Sequence, residues 1–135
     1  IEDPKYFQAH TVFHPNEQEQ FVGACAVPLE TELGWLMVYH AARKDPKTKQ
    51  NRYFAGLALL DKAEPWKVLA KPEQYFLDPA SAFGGRILFP SGAVIADKQG
   101  ERWLQVFYGA DDKEIRVSEC PLDSVLTLLR QTMKM

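Results

Sequence analysis

The histidines and cysteines of this chain are the residues whose types could ligate a metal or act as nucleophiles. His10 and His14 have the i, i+4 spacing of a metal pair on a helix. Their segment, HTVFHPN, contains β-branched residues and is stopped by Pro15, which disfavours a helix, so we expect no metal site there. Cys25 and Cys120 stand far apart without C-x-x-C spacing. We therefore expect buried free thiols rather than a zinc site or a disulfide framework.

His40 ends an apolar run, and a cationic loop separates it from Tyr53. The loop, ARKDPKTKQNR, carries five basic residues against one aspartate. A solvated hairpin end is the ordinary interpretation of such a loop. In the alternative interpretation, His40, Tyr53 and loop cations converge on an anion. From the pattern alone, His40 is by default a structural histidine.

An acidic cluster of Asp111, Asp112 and Glu114 lies at the end of another apolar run. Adjacent aspartates most often form tight turns in which their carboxylates bond to nearby backbone. The spacing alone therefore gives little support for paired catalytic carboxylates.

The composition indicates one ordinary globular domain, because 46% of the 135 residues are hydrophobic and 12% are aromatic. A net charge of -2 without a basic stripe argues against nucleic-acid binding. The apolar runs are far shorter than the roughly 20 residues of a membrane helix, and no charged-then-apolar signal segment opens the chain. We expect no membrane association and a soluble, cytoplasmic protein, although a trimmed start could hide an export signal.

Most apolar runs have the length and composition of strands, and turn-forming residues separate them. The runs are FVGACAVPL, GWLMVYHAA, RYFAGLALLD, WKVLAK, GRILFPSGAVIA, RWLQVFYGA and EIRVSECPL. The pattern of LDSVLTLLRQ predicts one short C-terminal helix, with Asp123 or Ser124 as its cap.

Two of these runs, GWLMVYHAA and RWLQVFYGA, align without gaps, which places Trp35 on Trp103. A small-residue strand precedes each copy, and a further strand ending in Leu-Asp follows it. The repeat of about 65 residues exceeds the roughly 40 to 50 of typical propeller blades because a linker, PEQYFLDPASAFGG, is included. The fold class that we predict is all-β, with about two four-stranded antiparallel propeller blades and a short C-terminal helix.

Propellers close with about four to eight blades, so residues 1–135 would form a single partial propeller domain. The missing blades would belong to a longer protein or be supplied by further copies, unless the architecture is a small sandwich. The expected organisation is an irregular lead-in or partial blade in 1–20, a blade in 21–72, a linker in 73–85, a blade in 86–122 and the helix in 123–132.

Several phrases resemble the C-terminal blades of glycoside hydrolase family 130, five-bladed propellers that include β-mannoside phosphorylases and related mannosidases. These phrases are GWLMVYHAA, RYFAGLALLDKAEPWKVLAKP, FPSGAVI and VFYGADDKEIRVSECPLDSVL. The resemblance runs from about Gly23 to Leu126, and the motifs in these phrases occur in the same order as in the family.

The resemblance implies substrate-binding or phosphate-binding roles for His40, Tyr53 and Asp112. His40 matches the histidine of the family's GWL-x-x-YHG phrase, Tyr53 its pocket tyrosine, and Asp112 an aspartate that contacts sugar. Arg52 in the cationic loop and Arg86, which replaces a family asparagine, are additional candidates.

Two departures from the family pattern bear on activity. The family's proton donor is an aspartate of an earlier blade in an E-D-P-R motif, and IEDPK places Asp3 in that pattern without the strands that should follow it. The catalytic residues are therefore unknown, with Asp3 as a weak candidate. Phe21 and Phe54 occupy positions where the family has basic residues, which weakens the expectation of tight phosphate capture.

The resemblance implies a carbohydrate-active protein that cleaves β-mannosides or related oligosaccharides by phosphorolysis or hydrolysis. The expected partner is an oligosaccharide, with inorganic phosphate as an optional co-substrate and no other cofactor. The alternative is a non-catalytic half-propeller that binds sugar or assembles into a homo-oligomer through its open blade edges.

Overall fold

The computed structural model describes residues 7–134, which contain two antiparallel sheets and two helices. The strands are β1 Glu19–Ala24, β2 Leu29–Glu30, β3 Trp35–Lys44, β4 Asn51–Leu60, β5 Val68–Ala70, β6 Leu88–Lys98, β7 Glu101–Ala110 and β8 Glu114–Pro121. The helices are α1 Pro79–Phe83 and α2 Leu122–Met133. The expected all-β class with a short C-terminal helix is confirmed.

The first sheet is a meander in the order β1-β3-β4-β5, and the short β2 also pairs with β3. β3 and β4 pair along their full length without a bulge. This register places His40 opposite Ala55 and Tyr53 opposite Ala42. Because side chains alternate between faces along a strand, His40 and Tyr53 lie on the same face.

The second sheet has the order β6-β7-β8, one strand fewer than expected. The chain passes from β8 directly into α2, where apolar residues recur at helical rather than strand spacing. Leu122, Val125, Leu126 and Leu129 are buried along one side of this helix. Packing of α2 against the core thus takes the place of a fourth strand in this part of the chain.

The main core lies between the two sheets and under α2. The first sheet contributes Leu36, Val38 and Leu57, and the second contributes Leu104 and Val106, all of them nearly inaccessible to solvent. Burial of such side chains stabilises a fold by about 25 cal/mol per Å² of apolar surface.

Other parts of the chain cover the outer face of the first sheet but leave apolar side chains exposed on the outer face of the second sheet. On the first sheet, Phe13 of the N-terminal segment packs edge-on against Tyr39 at a ring distance of 5.0 Å, and Lys71 lies over both rings. On the second sheet, an apolar row remains open, with Phe107 39% exposed, Val117 51% exposed and Ile115 83% exposed. Only the outer face of the first sheet is therefore shielded within residues 7–134.

The helix ends differ from the sequence expectation. α2 begins at Leu122 after Pro121, and no side chain among residues 7–134 caps its first turn. The predicted cap at Asp123 or Ser124 is wrong because the helix starts before them, and the Asp123 carboxylate instead accepts a hydrogen bond from Arg102 at 3.2 Å.

The short helix α1 was not expected within the linker. The Asp78 carboxylate accepts from the Ala80 backbone N–H at 2.8 Å, and Gly84 ends the helix with φ 73°. No helix in residues 7–134 is long and apolar enough to cross a bilayer.

Candidate functional site

Four aromatic side chains from four strands meet where β3 and β4 approach β6. His40 lies 4.6 Å from Phe89 and 6.2 Å from Phe21, measured between ring centroids. Tyr53 lies 5.7 Å from Phe21 and 6.4 Å from Phe89. We call Phe21, His40, Tyr53 and Phe89 the His40 cluster. The structure thus brings together two of the side chains singled out by the sequence, and both flanking phenylalanines are partly open to solvent.

The His40 ring is held by its surroundings on β1 and just beyond it. The Cys25 Sγ lies 3.0 Å from His40 Nδ1, and Gly23 is the cross-strand partner of His40. A Cβ atom at Gly23 would lie 2.6 Å from His40 Nε2, closer than atoms can approach. A residue without a side chain is therefore required opposite this imidazole.

Burial lowers the pKa of His40 below its ordinary value. Removal of water penalises the charged imidazolium, and no carboxylate contact is recorded for this ring within residues 7–134 to offset that penalty. His40 is consequently a neutral imidazole at neutral pH.

Backbone pairing joins Tyr53, on β4 of the first sheet, to the residues just before β6 of the second sheet. Its N–H donates to the Arg86 carbonyl at 3.0 Å, and a parallel bridge joins it to Ile87. The Asp111 Oδ1 atom accepts from the backbone N–H groups of Arg86 at 2.9 Å and of Ile87 at 2.8 Å. The β7–β8 turn therefore anchors the segment that lies beside Tyr53.

Asp111 rather than its neighbour makes the internal contacts of this turn. The Ile87 and Arg86 amides hold the pKa of the Asp111 carboxyl below its usual value. Asp112, the candidate sugar contact, is exposed, and both aspartates have left-handed φ values of 53° and 56°. Asp112 therefore lies at the same end of the sheets as Tyr53 with its side chain open to solvent.

The two candidate arginines bind backbone oxygens. Arg52 Nη2 donates to the Gly85 carbonyl at 3.2 Å, and Arg86 Nη1 donates to the Asn51 carbonyl at 2.6 Å. These bonds join the start of β4 to residues 85–86, next to Tyr53. Both guanidinium groups thus have a structural role in this arrangement.

The other basic residues of the ARKDPKTKQNR segment, which spans the end of β3, the hairpin loop and the start of β4, lie elsewhere. Arg43 is on the sheet face opposite to His40 and donates to the Gln18 side chain at 2.6 Å. The Asp45 carboxylate accepts from the backbone N–H groups of Lys47 and Thr48, which closes the loop as an exposed hairpin end. The geometry therefore agrees with the solvated-loop interpretation for these residues.

The remaining sequence candidates are placed as follows. Asp3 lies outside the described residues. Phe54 stacks on Tyr75 at 4.6 Å on the face opposite to Tyr53. His10 stacks on Trp66 with ring centroids 3.9 Å apart, and residues 7–134 contain no group of three or more His, Cys, Asp or Glu side chains suited to a metal ion.

A polar pocket of about 510 Å³, separate from the His40 cluster, lies on the outer face of the first sheet and was not predicted. At its base Glu19 is 7% exposed, and its carboxylate accepts from the Tyr75 hydroxyl at 2.6 Å and from the Asn16 N–H at 2.9 Å. Burial and the Glu19 hydrogen bond both raise the pKa of Tyr75. Because these partners satisfy the carboxylate, Glu19 joins three segments of the chain.

The chemistry available at the His40 cluster is hydrogen bonding and stacking. A neutral imidazole and a phenol can each donate to or accept from oxygen atoms of a ligand. The flat faces of aromatic rings suit the apolar C–H surfaces of a sugar ring. Within residues 7–134, no carboxylate is recorded in contact with His40 or Tyr53 that could protonate a leaving group there.

Comparisons with known proteins show which family the chain resembles. The model of glycoside hydrolase family 130, described as β-1,4-mannooligosaccharide phosphorylase, matches residues 4–131. The β-1,2-mannobiose phosphorylase of Listeria innocua is 34% identical over 110 residues, which are 78% of this chain and 28% of that protein. The β-1,4-mannooligosaccharide phosphorylase of Ruminococcus albus is 26% identical over 95% of this chain and 39% of that protein.

Solved structures give the same relationship. The complex of Listeria innocua β-1,2-mannobiose phosphorylase with β-1,2-mannobiose superposes with a TM-score of 0.68 and 31% identity, over 86% of this chain and 32% of that one. A protein structure from Bacteroides ovatus superposes with a TM-score of 0.60 and 27% identity, over 73% of this chain and 31% of that one. These neighbours confirm the expected propeller blades. The chain spans roughly a third of the length of the curated relatives that it matches, and it belongs to glycoside hydrolase family 130.

Proposed function

We propose that this chain supplies the C-terminal blades of a protein that cleaves β-mannosides or related oligosaccharides by phosphorolysis or hydrolysis. The observation that supports the proposal most is the His40 cluster, in which two matched family residues share one face beside partly open aromatic rings. Two phosphorylase relatives match 78% and 95% of the chain.

Glycosidic cleavage needs a proton for the leaving oxygen and a nucleophile at the anomeric carbon. In phosphorolysis, inorganic phosphate takes the place of the second carboxylate, so the protein must bind a phosphate beside the sugar. In our proposal His40 and Tyr53 hydrogen-bond to a phosphate or sugar oxygen, while Phe21 and Phe89 pack against the sugar ring. Asp112 would contact the sugar from the neighbouring turn.

The proton donor is not assigned to the described residues. Asp3 remains a candidate on its sequence pattern alone. In family 130 the donor belongs to an earlier blade, so a donor supplied from outside residues 7–134 agrees with the proposal.

The choice between phosphate and water depends on the cations near the His40 cluster. Phe21 lies where the family has a lysine, and Arg52 and Arg86 already bind backbone carbonyls. A neutral His40 adds no positive charge. These features favour weak phosphate binding and leave hydrolysis as the second candidate reaction.

An assay of the natural gene product that carries residues 1–135 tests the proposal. The substrates are β-1,2- and β-1,4-linked mannobiose, each with and without inorganic phosphate. Mannose 1-phosphate would establish phosphorolysis, and free mannose formed independently of phosphate would establish hydrolysis. The enzymatic proposal fails if neither linkage is cleaved under either condition.

A non-catalytic role is the alternative, supported by the open row of Phe107, Ile115 and Val117 on the second sheet. Apolar sheet faces and unpaired edges promote association. In this alternative we propose that a second copy of the chain covers this face. The mass of the 135-residue chain in solution tests the proposal: dimers or larger species that dissociate in Val117→Lys support it, and a stable monomer contradicts it.

The proposed compartment is the cytoplasm. Both cysteines carry free thiols, which fits a reducing environment.

A further inference from the structure

The contact between Cys25 and His40 determines which imidazole nitrogen is available to hydrogen-bond to a ligand. The thiol sulfur lies 3.0 Å from Nδ1 of His40 and 3.6 Å from the carbonyl oxygen of Gly23. With Nδ1 occupied by the thiol, Nε2 is the ring nitrogen that remains for a ligand oxygen.

The protonation states of both groups are fixed by burial. Burial raises the pKa of the Cys25 thiol to about 11 and lowers the pKa of His40. At neutral pH the pair is therefore a protonated thiol beside a neutral imidazole. A neutral imidazole carries one N–H group and one acceptor nitrogen, and the tautomer decides which is which.

Among the described residues, 7–134, two acceptors lie within reach of the thiol proton. An unprotonated imidazole nitrogen is a good acceptor, and it lies 0.6 Å nearer to the sulfur than the Gly23 carbonyl oxygen does, at 3.0 Å against 3.6 Å. The S–H bond directed at Nδ1 leaves the ring proton on Nε2. In the opposite assignment Nδ1–H would donate to the sulfur, and the thiol proton would be left with the more distant Gly23 carbonyl, at 3.6 Å, as its acceptor.

We propose that Cys25 is a positioning residue that fixes His40 in the Nε2–H tautomer. His40 then presents a hydrogen-bond donor, and this donor suits a phosphate oxygen or a sugar hydroxyl oxygen. The statement that this N–H group donates to a ligand rests on the function proposed above. The tautomer itself is a property of the chain without ligand.

The tautomer can be read directly from the ¹⁵N signals of the imidazole in the full 135-residue chain at neutral pH without ligand. His40→Gln assigns the His40 signals among those of the three histidines. We expect a single Nε2–H form in the wild type, a mixture of tautomers in Cys25→Ala, and recovery of the single form in Cys25→Ser, whose hydroxyl can donate to Nδ1. Cys120→Ala, which alters the other half-buried cysteine, should leave the His40 signals unchanged.

An Nδ1–H form or a mixture in the wild type would overturn the proposal, and this result requires no variant to fold. A single Nε2–H form retained in Cys25→Ala would also overturn it, because the tautomer would then have another cause. Addition of inorganic phosphate or β-mannobiose to the natural gene product that carries residues 1–135 tests the ligand separately. If neither shifts the His40 signals, the proposed function fails while the role of Cys25 stands on the first measurement.

Discussion

Asp111 Oδ1 accepts two backbone hydrogen bonds, from Arg86 at 2.9 Å and from Ile87 at 2.8 Å, whereas Asp112 beside it is exposed. Both aspartates have left-handed φ values, so replacement of either one by alanine introduces a similar backbone strain. We therefore expect Asp111→Ala to lower the urea midpoint of unfolding clearly more than Asp112→Ala does. Equal midpoints for the two variants would mean that the Asp111 carboxylate does not hold the Arg86–Ile87 segment.

The Glu19–Tyr75 hydrogen bond gives a second stability prediction. Tyr75→Phe removes the hydroxyl donor from a carboxylate that is only 7% exposed, so we expect the free energy of unfolding to fall by about 1–3 kcal/mol. Tyr53→Phe is the matched control, because it removes a hydroxyl at the His40 cluster, and it should cost less than about 0.5 kcal/mol of stability. Urea unfolding of both variants provides the comparison, and a larger loss in Tyr53→Phe would contradict the assignment.

Gly23 is predicted to control the placement of the His40 ring. In Gly23→Ala the added methyl group would meet the imidazole, which is confined by Cys25 and Phe89, so we expect a displaced ring and a loss of about 1–3 kcal/mol. Gly92→Ala is the control, because its added methyl group would have no atom within 4 Å. Changes in the His40 ring signals should appear in the first variant alone, and their appearance in both would show that the effect is not local.

The lowered pKa of His40 predicts a pH dependence of stability. Below the ordinary histidine pKa of about 6.5, the unfolded chain binds a proton that the folded chain resists. The contribution of the neutral buried ring is thus fully present above that pH and is lost as pH falls towards the folded-state pKa. We expect His40→Gln to flatten the pH dependence of the urea midpoint below about pH 6.5. His14→Gln, at an exposed histidine, should retain the slope of the wild type.

Much of the fold could be predicted from the sequence because its signals are local. Apolar runs separated by turn residues predicted the positions of the strands. The duplicated phrase around Trp35 and Trp103 predicted that the chain forms two related sheets. The second sheet has three strands, and the chain continues from them into the helix α2 that the pattern of LDSVLTLLRQ predicts. The helix α1 was missed although the sequence could have predicted it. Asp78 caps this short helix, Pro79 lies in its first turn, and Gly84 ends it.

The site was predictable only in part. The register of β3 and β4 places His40 and Tyr53 on the same face of the sheet. The contacts of Phe89 and Cys25 with the His40 ring depend on packing between segments that are separate in the sequence. Asp111 and Asp112 are indistinguishable in sequence, and only the three-dimensional position of Arg86 selects Asp111 as the internal acceptor. Glu19 was missed because a buried glutamate has no local sequence signature when its partner, Tyr75, lies far along the chain.

The most direct test of the account is the effect of His40→Ala on kcat/KM for β-mannobiose, measured in the natural gene product with and without phosphate. Loss of one hydrogen bond to a charged or partly charged ligand oxygen predicts a decrease of roughly 10- to 100-fold, with Tyr53→Phe also decreased and His14→Ala unchanged. Turnover that persists at the wild-type level in His40→Ala, in a variant shown to be folded, would contradict the claim that the His40 cluster faces the substrate.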